Sequence, residues 1–195
     1  HLISWLGAEA LPYPLKTKCC GGMLMTTQPN VCEEVVDKLL SLRSVNGPQF
    51  TVIQGYQVPG TTNGDGAIRC AYLTNGASLC GFTLTNGATR TNWDSELDEL
   101  GGGAWCESAD VVISNCTLIG NSADNEGGGA YCGTLNNCML RGNRAYGGGG
   151  ADGSTLNNCV LTGNSASEWC GGGAAGSKLN NCTLTGNSAL CGGGA

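Results

Sequence analysis

The residues able to do chemistry are mainly sulfur and scattered carboxylates. The chain of 195 residues carries 13 cysteines, 15 Asp+Glu, 9 Lys+Arg and a single histidine, His1. Zinc chemistry lacks its usual signature: no Cys-x-x-Cys pair is present. Acid/base cleavage of a glycosidic bond needs carboxylates gathered on one face. Here Asp124, Glu126 and Asp152 are scattered near turn-forming residues. Asp94, Glu96 and Asp98 alternate within one acidic stretch, a spacing open to weak calcium binding or to a solvated loop; the solvated loop is the reading taken here. No catalytic, cofactor-binding or metal-ligating residue is assigned. The glycine blocks are not followed by the Lys-Ser/Thr of a phosphate-binding loop. With a net charge of −6 the chain lacks the basic patch that binding nucleic acid demands. No apolar run reaches the ~18 residues of a membrane span.

What must position these groups is a repeat. Ser114 to Ala123 reads SNCTLIGNSA, and Asn136 to Ala145 reads NNCMLRGNRA. Asn157 to Ala166 reads NNCVLTGNSA, and Asn180 to Ala189 reads NNCTLTGNSA. The cysteines Cys116, Cys138, Cys159 and Cys182 follow one another at 22, 21 and 23 residues. A Gly-Gly-Gly-Ala block closes at Ala104, Ala130, Ala151, Ala174 and Ala195. Upstream, Leu79 to Gly87 is a weaker copy with Phe82 at the cysteine position, and Thr51 to Gly55 belongs to a still earlier unit.

Cys and Leu lie two apart in every unit, the alternation of a strand rather than a helix. A unit of twenty-odd residues holds two or three short strands, too few to bury a core alone. Stacking units at about 4.8 Å lets each strand pair with its own copy. The expected fold is therefore all-β: a right-handed parallel β-helix, its hand following from the crossover rule. Its inward ladders are Cys116, Cys138, Cys159, Cys182 and Leu118, Leu140, Leu161, Leu184. A turn ladder is expected at Asn121, Asn143, Asn164 and Asn187, where Asn tolerates left-handed backbone and stacked amides bond along the axis. The 34 glycines, more than twice the ordinary share of roughly 7%, belong at the corners.

Cys170 and Cys191 each directly precede a glycine block, while Cys106 and Cys132 each follow one by two residues. Each pair falls on neighbouring coils, so both are candidate disulfides in an exported protein. Cys19, Cys20, Cys32, Cys70 and Cys80 are left unassigned. Trp105 and Tyr131 share a register position, as exposed aromatics suited to corner packing or a glycan or partner contact. The threonines Thr83, Thr85, Thr117, Thr162, Thr183 and Thr185 reflect β-propensity; Ile119, Met139, Arg141 and Val160 interrupt any ice-binding face.

Residues 1–38 do not repeat and are expected to form an N-terminal capping segment, with the β-helix running over 39–195. Asn30 and Glu33 frame the start of an amphipathic helix near 31–40; the alternative makes Leu40-Ser41-Leu42 the first strand. Trp93 to Leu100 reads as an insertion projecting from one coil. The start lacks a signal-peptide pattern; because the chain begins with His1 and ends in mid-repeat, it is read as a fragment or a processed piece, truncated at its C-terminal end.

The Leu-x-Gly-Asn and Gly-Gly-Ala tetrapeptides resemble the polymorphic outer membrane protein repeats, which carry Phe-x-x-Asn and Gly-Gly-Ala-Ile. Leu118 to Asn121, Leu140 to Asn143, Leu161 to Asn164 and Leu184 to Asn187 match the first, with Leu for Phe. After Gly-Gly-Ala stand Trp105, Tyr131, Asp152 or Ala175 in place of Ile. The stretch from Ser44 to Thr85 is similar to secreted bacterial β-helix repeat proteins. The resemblance covers about residues 40–195. It implies a bacterial surface or extracellular location and a non-catalytic adhesin- or passenger-like scaffold, with a host or environmental glycan or protein as partner. The alternative is a polysaccharide lyase or glycoside hydrolase whose catalytic residues lie mostly outside this piece.

Overall fold

The computed structural model describes residues 8–10, 40–91 and 96–195. These residues form a parallel β-helix, with one strand per coil in each of three sheets. The first sheet stacks Ser41–Ser44, Ser78–Cys80, Val112–Ser114, Thr134–Asn136, Thr155–Asn157 and Lys178–Asn180. The second stacks Val52–Gln54, Thr83–Thr85, Thr117–Ile119, Met139–Arg141, Val160–Thr162 and Thr183–Thr185. The third, built on the glycine blocks, stacks Ala71–Leu73, Ala104–Cys106, Ala130–Tyr131, Ala151–Asp152 and Ala174–Ala175.

Every coil-to-coil pairing in these sheets is parallel and in the register of the sequence repeat. Leu84 faces Leu118, then Leu140, Leu161 and Leu184. Leu79, Ile113, Leu135, Leu156 and Leu179 form the matching ladder of the first sheet. The third sheet contributes Ala71, Ala104, Ala130, Ala151 and Ala174. All five alanines are almost completely buried. Burying a leucine contributes roughly 1.5–3 kcal/mol, so the two large ladders carry most of the hydrophobic stabilisation. Thr51–Gly55 takes its expected place in an earlier coil, with Thr83 N–H donating to Thr51 O.

Ser41–Ser44 is a strand, so the alternative reading of that segment holds at its C-terminal end. The rest of the expected 31–40 helix lies outside the described residues. Ala8–Ala10 pairs antiparallel with Ser41–Ser44 and occupies the edge of the first sheet, where an open strand would otherwise offer unpaired backbone groups.

The corner between first and second sheets falls on the Asn that precedes each inward Cys. Asn115, Asn137, Asn158 and Asn181 have φ between 51° and 54°. One coil earlier the same position is Gly81, φ 79°. Only Gly and Asn visit this region cheaply, so the column accepts either.

The expected left-handed turn at Asn121, Asn143, Asn164 and Asn187 is corrected. None of these residues has positive φ; the preceding Gly120, Gly142, Gly163 and Gly186 take that role, with φ 61–65°. The asparagines instead point inward, and Asn143 and Asn164 are fully buried. The amide NH₂ groups of Asn121, Asn143 and Asn164 each find two acceptors, while Asn187 at the last rung donates to Leu161 O. Asn143 Nδ2 donates to Leu118 O at 2.9 Å and to Asn164 Oδ1 at 3.0 Å. Asn143 Oδ1 accepts from the backbone N–H and the Nδ2 of Asn121 at 3.0 and 3.1 Å. The expectation of axial amide–amide bonding therefore holds, in the core rather than at a turn. The glycine blocks fit tightly beside it: a Cβ on Gly129 would meet Gly150 O and, at 3.0 Å, Asn143 Nδ2.

Asn143→Ala leaves two donors of Asn121 and the Leu118 carbonyl without partners inside the core. At about 1–3 kcal/mol for each orphaned group, the loss exceeds ~3 kcal/mol in urea denaturation; Asn187→Ala, half-exposed at the last rung, loses much less. At the exposed corner, Asn137→Gly leaves the urea midpoint nearly unchanged while Asn137→Ala costs about 1–2 kcal/mol.

Candidate binding groove

The expected cysteine ladder forms. Cys116, Cys138 and Cys159 are almost completely buried and Cys182 is half-buried. Cys138 Sγ donates to Ile113 O at 3.5 Å, and Cys159 Sγ to Leu135 O at 3.4 Å. In return, the backbone N–H of Cys138 donates to Cys159 Sγ, and that of Cys159 to Cys182 Sγ, both at 3.4 Å. Burial pushes the Cys116 thiol up to about 11. Hydrogen bonding to Cys159, together with burial, pushes Cys138 well up. The hydrogen bond with Cys138 outweighs burial at Cys159 and draws that thiol down to about 7, so the two neighbouring rungs shift in opposite directions.

Cys170 and Cys191 form the expected disulfide, with Cα atoms 4.7 Å apart. Cys106 and Cys132 remain free thiols, against expectation. They are neighbours in register, but from Cys132 onward the column continues as Gly153 and Gly176, and Cys132 shares their φ of 53–58°. That left-handed backbone turns its Cβ away from the strand alternation that buries Cys106. Cys70 is buried, with its thiol pushed up to about 12, and Cys80 is partly exposed.

On the outer face of the third sheet, Tyr72, Trp105, Tyr131, Asp152 and Ala175 share one register position. Trp105 is in register with Tyr131 as expected, but it is only 6% exposed and its ring stacks on Tyr72, with centroids 4.6 Å apart. The rung after Tyr131 is a carboxylate: burial, then Glu126, pushes Asp152 up to about 7, and burial also raises Glu126.

The described part of the insertion, ahead of the second strand of this sheet, is held down rather than projecting freely. Glu96–Glu99 is a short 3-10 turn. Arg69 donates to Leu97 O and Asp98 O at 2.9 and 3.1 Å, Arg90 meets Asp98 at 3.9 Å, and Leu100 is buried. Asp94 lies outside the described residues. Among the described residues no three metal-ligating groups come together.

The groove itself lies elsewhere, where a loop breaks the repeat. Between the second-sheet strand Val52–Gln54 and the third-sheet strand Ala71–Leu73 the chain makes a detour. Val58 and Thr62 exchange backbone hydrogen bonds at 2.8 Å, closing its tip. Gln57 Nε2 donates to Gly120 O at 2.7 Å and Gly64 N–H to Thr89 O at 3.2 Å, pinning the loop onto later coils. Between the tip and the small ladder of Arg144–Ala145 with Ser165–Ala166 opens a groove of about 220 Å³.

The groove is lined by Asn63, Ser122, Asp124, Arg144, Tyr146 and Ser167, with Thr61 and Thr62 above. Thr62 has φ 72°, a genuine outlier for a β-branched residue, costing roughly 1–3 kcal/mol and held only by its surroundings. Asn63 Oδ1 is buried without a hydrogen-bond partner among the described residues. Burial pushes the Asp124 carboxyl up, and the Asn63 side chain draws it partly back. Asp124 and Arg144 do not meet in an ion pair. Tyr146 meets Trp169 edge-on at 5.7 Å, and Trp169 is 55% exposed.

Sequence reasoning missed this site because its parts come from segments outside the motif. The one legible sign was the turn-forming run Pro59-Gly60-Thr61-Thr62-Asn63-Gly64 in a stretch with no repeat. No protein-family model, curated protein or solved structure matches the chain.

The Asp152 carboxyl holds its proton to about pH 7 in the folded chain, whereas unfolded Asp releases it near pH 3.9. Between these values the native state binds more protons, so stability falls as pH rises from about 4 to about 7 and then levels. Asp152→Asn makes that fall shallower in melting temperatures measured across the window. An unchanged slope contradicts the assignment.

Proposed function

We propose that this chain is a non-catalytic, secreted or surface-exposed β-helix segment that serves as an adhesin- or passenger-like binding scaffold. The observation that carries the reading is the solvent-exposed Cys170–Cys191 bridge between successive coils. Exposed disulfides persist in oxidising compartments and are reduced in the cytosol. The repeat's likeness to the polymorphic outer membrane proteins supports the same location. A rod of stacked coils presents a long, stiff surface, a geometry suited to reaching and holding a partner.

A second reading, a carbohydrate-active enzyme, is favoured by one observation. Asp152 keeps its proton to about 7 beside Glu126, on a face bearing Tyr72, Trp105 and Tyr131. A carboxyl protonated near neutrality has the property of a general acid.

One experiment addresses both. The labelled chain, purified without reductant, is applied to an array of glycans and extracellular proteins, and free sugar ends are assayed in parallel. The scaffold reading expects retention on some features without product release, and a Cys170–Cys191 linked peptide in the non-reduced digest. Sugar release abolished by Asp152→Asn supports the enzyme instead; an array with no bound feature overturns the scaffold.

A further inference from the structure

We propose that the groove under the Val58–Thr62 loop tip is a subsite for one neutral pyranose unit of an extended glycan, the chain of sugars continuing across Tyr146 and Trp169. This rests on the binding-scaffold reading and gives it a ligand class.

Size sets the first limit. At about 220 Å³ the groove falls below the roughly 300–1,000 Å³ of pockets that enclose drug-sized ligands. A single sugar ring is the scale that remains.

Charge sets the second. Asp124 and the orphaned Asn63 Oδ1 accept hydrogen bonds, whereas the Arg144 guanidinium only donates. An anionic ligand meets two acceptors that repel it, and a cationic ligand meets Arg144. A hydroxyl both donates and accepts, so a polyhydroxylated neutral ring satisfies all three. Arg144 makes no side-chain hydrogen bond or ion pair among the described residues, leaving its donors for a ligand. Ser122 and Ser167 add hydroxyls on the groove wall.

Shape sets the third. Tyr146 lines the groove, and Trp169, set edge-on to it, presents an open indole to solvent. The backbone that carries the indole is fixed from two sides: the main-chain N–H of Trp169 donates to the Tyr146 carbonyl at 3.0 Å, and its neighbour Cys170 is locked to the next coil. Behind it stands Gly147, where a Cβ would come within 3.3 Å of Trp169 Cβ. Aromatic faces of this kind receive the C–H face of a sugar ring while hydroxyls bond at its rim. The Val58–Thr62 backbone pair, with Gln57 bound to Gly120 and Gly64 to Thr89, holds the loop tip in place before any ligand arrives, which lowers the ordering cost of binding.

The test is titration of the intact chain with neutral hexasaccharides of glucose, mannose, galactose and N-acetylglucosamine, beside oligogalacturonate and oligoglucosamine. Binding is read by calorimetry and tryptophan fluorescence. The expected result is binding of at least one neutral hexasaccharide, with both charged oligomers weaker. Asp124→Asn and Trp169→Ala, both at exposed positions, each weaken it at least tenfold, while Tyr72→Ala on the third-sheet face does not. Urea midpoints confirm that each variant folds. The inference is overturned if no neutral hexasaccharide binds, if a charged oligomer binds tightest, or if the groove variants bind as the parent does. If the array partner of the parent chain is also retained by both groove variants, the scaffold reading stands and the subsite falls. If the array is blank as well, both fall.

Discussion

Axial stacking at strand spacing subjects every position of this chain to one condition: a side chain must tolerate what sits one coil above and below it. Leu on Leu, Ala on Ala and Asn on Asn meet that condition by packing or by amide–amide hydrogen bonds. A column of like charges cannot, because cross-strand neighbours of the same sign repel at close range. The described pairings follow this rule. Arg141 lies between Ile119 and Thr162, Lys178 on Thr155, and Asp152 between Tyr131 and Ala175. The charged share of 12%, about half the usual ~25%, is a consequence of the architecture before it is a statement about function.

The same condition explains two unusual core choices. Asparagine is costly to bury, yet a ladder of amides returns every donor and acceptor to a partner, so fully buried Asn143 and Asn164 leave nothing unsatisfied. Cysteine is small and weakly polar. Stacked thiols donate to the carbonyls of the preceding coil and receive backbone N–H groups in return. Burial raises the Cys116 thiol, and the hydrogen bond that couples Cys138 to Cys159 raises the first and lowers the second. The Cys170–Cys191 bridge stands apart, at the outer rim of the last coils.

The repeat made the architecture legible because periodicity in sequence is periodicity in space. Phe82 at the cysteine position and Thr51 to Gly55 in an earlier coil both fall in register. The errors have a common source. Sequence identifies which residues share a column but not the backbone angle of that column. Asn favours turns, which makes Asn121 and its copies resemble turn residues in sequence; the left-handed angle belongs to the glycine before them, and to Asn115 and its copies. Cys106 and Cys132 share a register, yet the glycine-like φ of Cys132 separates their side chains. Trp105 looked exposed as an outward residue, and only the stacked ring of Tyr72 shows that it is covered.

A regular solenoid is also a poor place for a unique site, since each coil presents the same surface as the next. Specificity has to come from breaks in the pattern. Three occur within the described coils: the loop that closes at Val58–Thr62, the Glu96–Glu99 turn, and the Ser167-Glu168-Trp169-Cys170 run before a glycine block. The first and third approach the same groove although more than a hundred residues separate them, because Gln57 is pinned to Gly120 and Tyr146 carries Trp169. The second is drawn onto Arg69, whose burial lowers its pKa and whose guanidinium is spent on backbone carbonyls. Arg144, by contrast, stands in a column of serines, Ser122 and Ser165, with its donors uncommitted. A single basic residue placed where the repeat otherwise specifies small hydroxyls gives one coil a chemistry that its neighbours lack, and a ladder protein needs that asymmetry to recognise anything smaller than itself.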